Sequence, residues 1–321
     1  MREWERDVRG KRGQLLLGLG TFLLVLAFLM RFHAYPRLAV APIDQNSEST
    51  LVGPDATIFD IATLSEVQTD LTTRARTVGD IEASEDEGGG ARVWVNTSST
   101  TDSEGVVRSR SVERVAFDAH TGEGIDCCDT YYEGTEGEPT PTTYEGLVYK
   151  FPFRTEKKTY DWWDGELLEA LPIEYQGTEE IAGYETYVFE HTIDPTVTGT
   201  TEVPASLVGE QGDGTVEAEL VYSNVRTLWV EPSTGVVLKR TEAQDNYLQY
   251  DGERQVTTSQ VNTGFTEETT QEFADEYGGL GTLLNLLYLV LPVSFLVLGV
   301  VLIGLGVWLY RKDRRPPAQH A

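Results

Sequence analysis

TLWVEPSTGVVLKR, residues 227–240, sets an apolar strand, an acidic residue, a Thr-Gly pair and a returning strand in order. Glycine there supplies the positive φ that a tight antiparallel connection needs. The same device recurs upstream: VVRSRSVERVAFD, residues 106–118, runs into AHTGE. A third hairpin reads YQGTEEIAGYETYVFEHTI, residues 175–193, with Gly183 at its turn. Side chains alternate along a strand, so Tyr184, Thr186, Val188 and Glu190 share one face, and Glu185, Tyr187, Phe189 and His191 the other. ARVWV, residues 91–95, alternates as well; the NTSSTTDSEG that follows reads as a turn-rich connection. The expected fold is mainly β, a large antiparallel β-rich domain over residues 35–265.

Helical signals in this domain are few. ELLEAL, residues 166–171, predicts a short helix stopped by Pro172. TEETTQEFADEYG, residues 266–278, predicts a helical connector over 266–282 with a Gly278-Gly279 hinge. The acidic runs EASEDEGGG (82–90) and YEGTEGEPT (132–140) read as solvated, mobile loops.

Apolar runs flank the domain. A helix needs about 20 apolar residues to cross a bilayer core. Residues 13–32 and 283–310 meet that length, and no charge interrupts their apolar cores. Ala39-Val40-Ala41 resembles a signal-peptidase site, but Pro42 follows it, so the first run is expected to stay as an uncleaved anchor. Arg2, Arg6, Arg9, Lys11 and Arg12 precede the first span, and Arg311, Lys312, Arg314 and Arg315 follow the second. Lysine and arginine mark the cytoplasmic side. Both tails, 1–12 and 311–321, are therefore expected inside and the β domain outside, in a two-pass cell-membrane protein. Pro292 should kink the second span. Gly299, Gly304 and Gly306 suit contact with Gly18 and Gly20 of the first.

The 321 residues carry 52 acidic against 25 basic groups, a net charge of −27, and only 6 are lysine. Such a field repels nucleic acid. The acid excess with little lysine matches proteins of strong brine, where molar salt screens self-repulsion, so a halophilic source is expected.

Three of the scarce lysines gather with large aromatics in KFPFRTEKKTYDWWD, residues 150–164. Lys150, Arg154, Lys157, Lys158, Tyr160, Trp162 and Trp163 form the candidate ligand site, suited to an anionic head group or a stacked sugar. The alternative is structural, with the aromatics in the core and the lysines neutralising nearby carboxylates.

No nucleophile elbow, metalloprotease helix, phosphate loop or Cys-x-x-Cys pair occurs. The domain has two histidines, His120 in a predicted turn and His191 at a predicted strand end. Asp161 and Asp164 make only an unspecific carboxylate pair, and GDGT (212–215) lacks the alternation of a calcium loop. A non-enzyme without cofactor or metal is expected. Adjacent Cys127 and Cys128 can close a vicinal ring, pair between chains or stay free. Asn96-Thr97-Ser98 is a glycosylation sequon at a predicted exposed strand end.

YPRLAVAPIDQ (35–45), YKFPFRTEKKTYDWWD (149–164), TEVPASLVG (201–209) and YSNVRTLWVEPSTGVV (222–237) resemble the PorA family of membrane proteins, known from actinobacteria and haloarchaea. The resemblance covers nearly the whole chain and implies a porin, which for two α-spans requires oligomers. Terminal anchors around a β-rich ectodomain are also similar in architecture to class B scavenger receptors, without a shared motif. The leading expectation is binding or transfer of an anionic lipid or lipid-linked glycan among membrane lipids. An envelope scaffold and an oligomeric porin are the alternatives.

Overall fold

The computed structural model describes residues 2–313 except 136 and 213. Two compact units result: Ala41–Leu280, and a helical unit from the two chain ends.

The first unit is an antiparallel sheet. Its strands are β1 (Asn46–Asp60), β2 (Ser65–Gly79), β3 (Ala91–Asp102), β4 (Val107–Asp118), β5 (Tyr131–Glu133), β6 (Thr140–Pro141), β7 (Tyr160–Asp164), β8 (Glu169–Ile181), β9 (Tyr184–Pro204), β10 (Thr215–Val230), β11 (Val237–Tyr250) and β12 (Glu253–Phe265). Among the described residues they form one sheet of 12 strands in the order β6-β5-β4-β3-β2-β1-β12-β11-β10-β9-β8-β7. Two meanders thus meet where β1 pairs β12, with Leu51 opposite Phe265.

A second junction joins the meanders. Between β4 and β7 the chain adds two bridging segments: Gly124 pairs with Phe117, Leu147 with Glu123, and Trp162 with Leu147. The Asp118 N–H donates to the Glu123 carbonyl at 2.8 Å, and Leu147 N–H to Asp161 at 2.7 Å. At this level the sheet closes on itself, which removes two edges that would otherwise expose unpaired backbone groups.

The two Thr-Gly turns are built alike. The Glu231 carboxylate accepts from the N–H groups of Ser233 and Thr234 at 3.0 and 2.7 Å. The Asp118 carboxylate accepts from His120 and Thr121 at 2.9 and 2.8 Å. Gly235 and Gly122 follow with φ of 76° and 79°. The third hairpin turns on Ala182 and Gly183, at φ 50° and 87°, the double left-handed pair of a two-residue hairpin.

Several local expectations are corrected. ELLEAL is not a helix: Gly165–Leu168 turn between β7 and β8, and the Asp164 side chain accepts from Glu166 and Leu167 N–H at 3.1 and 3.2 Å. A six-residue helix is marginal, and β-pairing of Trp162 with Leu171 wins. NTSSTTD is strand, not turn, because its Thr and Ser pair on both sides, as Thr100 does with Thr73. Asn96 is accordingly mid-strand and half-buried, its amide donating to Thr77 Oγ1 at 2.8 Å. The acidic run after Asp80 begins as a helix, α3 (Ile81–Asp86), because Asp80 caps it through Ala83 N–H at 3.1 Å. Part of the 132–140 run, at 136, lies outside the described residues.

The connector is helical, as α4 (Glu267–Phe273), with Thr266 Oγ1 accepting from Thr269 N–H. A π-helical turn, Ala274–Gly278, continues it into α5 (Gly279–Asn285), so no break occurs at the glycine pair. A Cβ on Gly278 would press to 2.6 Å from the Tyr184 ring, which explains glycine there by packing. Leu238, Ala274 and Tyr277 form the core beneath this helix.

In the helical unit, α1 (Arg2–Leu29) passes through a π-helical turn, Met30–Ala34, into α2 (Tyr35–Leu38). On the C-terminal side, α6 (Leu291–Asp313) follows a π-helical turn at Leu286–Val290. These two π turns lie just before a proline, Pro36 or Pro292, whose missing N–H the wider turn accommodates. Two helical stretches, Arg12–Leu38 and Glu267–Lys312, are long and apolar enough to cross a membrane. The pair is antiparallel. A Cβ on Gly20 would lie 2.7 Å from the Gly299 carbonyl oxygen, and one on Gly306 would lie 3.0 Å from that of Gly13. Gly18 and Gly304, also expected at this contact, face open space. Arg31 donates to the Tyr288 hydroxyl at 2.8 Å and stacks 4.1 Å over its ring. Of the basic tails, Arg314 and Arg315 lie outside the described residues.

Candidate functional site

The lysine-aromatic stretch occupies the irregular chain that closes the sheet and then becomes β7. Its main chain is held by both Thr-Gly turns. Phe151, Arg154 and Thr155 donate to the carbonyls of Gly235, Ser233 and Pro232 at 2.7, 3.2 and 2.8 Å. Val148 and Phe153 donate to Gly122 and His120 at 3.0 and 3.2 Å. The two recurrent turns noticed in the sequence therefore converge on one segment.

Anchoring divides the candidate residues. Phe151 is fully buried and stacks on Phe189 at 4.4 Å and Trp162 at 5.2 Å. Trp162 packs with Leu228 and Val230; Trp163, on the opposite face of β7, packs with Trp94, Phe117 and Tyr144. Lys150 is buried too. Its ammonium donates to the Phe151 carbonyl and lies 4.1 Å over the Phe153 ring. Loss of hydration pushes its pKa down to about 7, with Asp118 opposing.

Arg154, Lys157 and Lys158 remain exposed. Lys157 lies 4.7 Å from the Tyr187 ring and 5.6 Å from that of Tyr175. Lys158 is 5.0 Å from the Tyr160 ring and 3.0 Å from Glu156. Two lysines and three half-buried tyrosines thus share one outer surface, with hydrogen-bond donors and aromatic faces together. Asp161 is exposed while Asp164 is buried, so the considered carboxylate pair is split by the strand. For the calcium reading, position 213 lies outside the described residues.

Beneath the stretch lies a buried ion network. Arg226 of β10 reaches Glu242 of β11 at 2.9 Å and Asp164 of β7 at 3.3 Å. Arg240 pairs with the same Glu242. Asn224 donates to Glu242 at 2.9 Å, and the Tyr222 hydroxyl to Asp164 at 3.1 Å. Two arginines thus balance two carboxylates. Against the cost of burial, both arginines hold the Glu242 carboxyl far below the ordinary carboxylate range. Burial and Arg226 hold His191 below its ordinary value.

His191 is mid-strand in β9, directly opposite Arg226, rather than at a strand end. Both of its ring nitrogens, and Asn224 Oδ1, are buried without a hydrogen-bond partner. His120 is exposed in its turn, as expected. Motif reading missed this network. Its signal was phase: Tyr222, Asn224 and Arg226 alternate in step with Leu228 and Val230, so they point into the same interior.

Cys127 and Cys128 are joined as a vicinal disulfide. The Glu87 carboxylate lies within 4.8 Å of both sulfurs.

The sequence matches the family model described as Porin PorA over residues 13–308. A Porin PorA of Corynebacterium amycolatum is 26% identical over 293 residues, covering 72% of this chain and 76% of that protein. A Porin PorA of Corynebacterium resistens is 28% identical over 149 residues, covering 32% of this chain and 36% of that protein. The family match takes in both apolar helices and the whole β-rich unit between them, and the chain belongs to the PorA family.

Proposed function

We propose that this envelope membrane protein works as a porin-like subunit, passing small hydrophilic solutes where several helical hairpins assemble. The observation that carries this is the antiparallel, glycine-packed pair α1–α6 within a family match over 13–308. Its outer surface is apolar: Leu15, Phe22, Val297 and Val300 are all more than half exposed. One hairpin offers no polar conduit, so the path lies between copies. An antiparallel pair returns both tails, 1–12 and 311–321, to one side, the cytoplasm by their charge, and leaves the acidic β-rich unit outside. The acidic charge of that unit raises the local cation concentration on the outer side, which favours a cation-selective path. Native mass measurement of the full chain in mild detergent tests it: discrete oligomers are expected, and a strict monomer is incompatible with the path.

The net charge of −27 supports a brine habitat. Circular dichroism of the full chain should then show β structure growing as KCl rises; complete folding in dilute buffer rejects that habitat.

A second reading rests on the exposed Lys157 and Lys158 beside Tyr160, Tyr175 and Tyr187: a seat for an anionic lipid or lipid-linked glycan. Mass spectrometry of lipids carried by the purified chain, with Lys157→Ala/Lys158→Ala alongside, decides it. A stoichiometric lipid lost in the variant supports the seat, and equal retention rejects it.

A further inference from the structure

We propose that the Cys127–Cys128 pair and Glu87 form a redox-gated site for a thiophilic metal ion. Residues some 40 positions apart in sequence meet here: the two sulfurs and the Glu87 carboxylate all lie within 4.8 Å of one another. Two thiolates and one carboxylate make three ligands, and a water completes the tetrahedral set that zinc-like ions take.

The framework around the three ligands is fixed from both sides. Arg114 of β4 donates from Nε to the Cys128 carbonyl at 3.0 Å and from Nη1 to the Asp80 carboxylate at 2.7 Å. Asp80 caps α3, and Glu87 closes that helix at its other end. Ser84 is fully buried and ties α3 to β3, its hydroxyl accepting from Val93 N–H at 2.9 Å. One arginine therefore sets the cysteine turn relative to the helix that carries Glu87. Cys128 and Asp129 take positive φ of 67° and 52°, which turns the chain back within the pair. Asp86, Asp126 and Asp129 flank the ligands in sequence, and their charge favours a cation.

The disulfide form cannot ligate, because thiolate is the metal ligand. A small dithiol transfers two hydrogens to the S–S bond, becoming a cyclic disulfide and leaving two thiols. Each thiol then releases one proton as the metal binds. The oxidised chain is closed and the reduced chain is open for binding.

The test uses Cd²⁺ alone as probe, with the full chain in detergent, oxidised or reduced and freed of reductant without oxygen. Thiolate-to-Cd²⁺ charge-transfer absorption should rise to one ion per reduced chain and be absent from the oxidised chain. The oxidised chain also reports background binding by surface carboxylates. Glu87→Gln, an exposed substitution that leaves both thiols, should weaken affinity at least about tenfold, and Arg114→Gln, which frees the two elements, by about tenfold. Equal absorption in both redox states overturns the site. So does a Glu87→Gln chain that titrates two thiols yet binds like the parent.

Discussion

Gly235 and Phe151 interlock through their main chains: Phe151 N–H donates to the Gly235 carbonyl at 2.7 Å, and a Cβ on Gly235 would overlap the Phe151 carbonyl. Gly122 crowds Lys150 in the same way, the Lys150 carbonyl oxygen lying 2.6 Å from an added Cβ, while the Gly122 carbonyl accepts from Val148 N–H at 3.0 Å. Two glycine turns from distant strands thus seat one buried Lys-Phe pair.

Gly235→Ala combines a left-handed φ with that overlap. It should destabilise the β-rich unit by about 2–4 kcal/mol in urea unfolding. Gly177→Ala, whose added carbon meets open space, should change stability by less than about 1 kcal/mol. Equal midpoints for the two variants would remove the interlock.

Arg226→Met strands Glu242 and Asp164 in the interior without their shared cation. A loss of about 3–5 kcal/mol follows. Adding Glu242→Gln and Asp164→Asn should recover part of it, since both buried carboxylates are then neutral and only the half-buried Arg240 loses an ion partner. A triple variant weaker than Arg226→Met by the sum of its parts would mean the groups act independently.

Lys150 gives stability a pH dependence. Its folded pKa is about 7 against an ordinary 10.5. Between those values the unfolded chain holds the proton and the folded chain does not. Stability from this group therefore rises with pH through that window, by up to about 1.4 kcal/mol per unit. Lys150→Met should remove that part of the slope. Parallel pH profiles for parent and variant would falsify the assignment.

Gly20→Ile should force α1 from α6, because the Gly299 carbonyl leaves no room. In detergent the chain should melt earlier and yield faster to protease. Gly18→Ile, facing open space, should behave like the parent. If both variants match the parent, the glycine contact does not hold the pair.

How far the sequence could be read depends on where the information sits. The hairpin at Gly183 and the Asp118 and Glu231 turns are local, set by glycine and a carboxylate a few residues away, and they are legible. The helix signal in ELLEAL is equally local but too short to prevail over pairing across β7 and β8. Sheet closure is not local: Gly124, Leu147 and Trp162 belong to segments without strand patterning, and only tertiary pairing aligns them. At the candidate site, composition marked the lysines, yet burial divided them, Lys150 inward and Lys157 and Lys158 outward. Arg226 and Glu242 were hidden because polar residues on a strand read as its wet face unless their phase with Leu228 and Val230 is followed.

The most direct measurement is current through planar bilayers holding the purified full chain under a KCl gradient. A porin-like path between copies predicts stepwise conductance, a reversal potential on the cation side, and loss of the steps in Gly20→Ile. Inserted, oligomeric protein that carries no current, or a reversal potential favouring chloride, would contradict it.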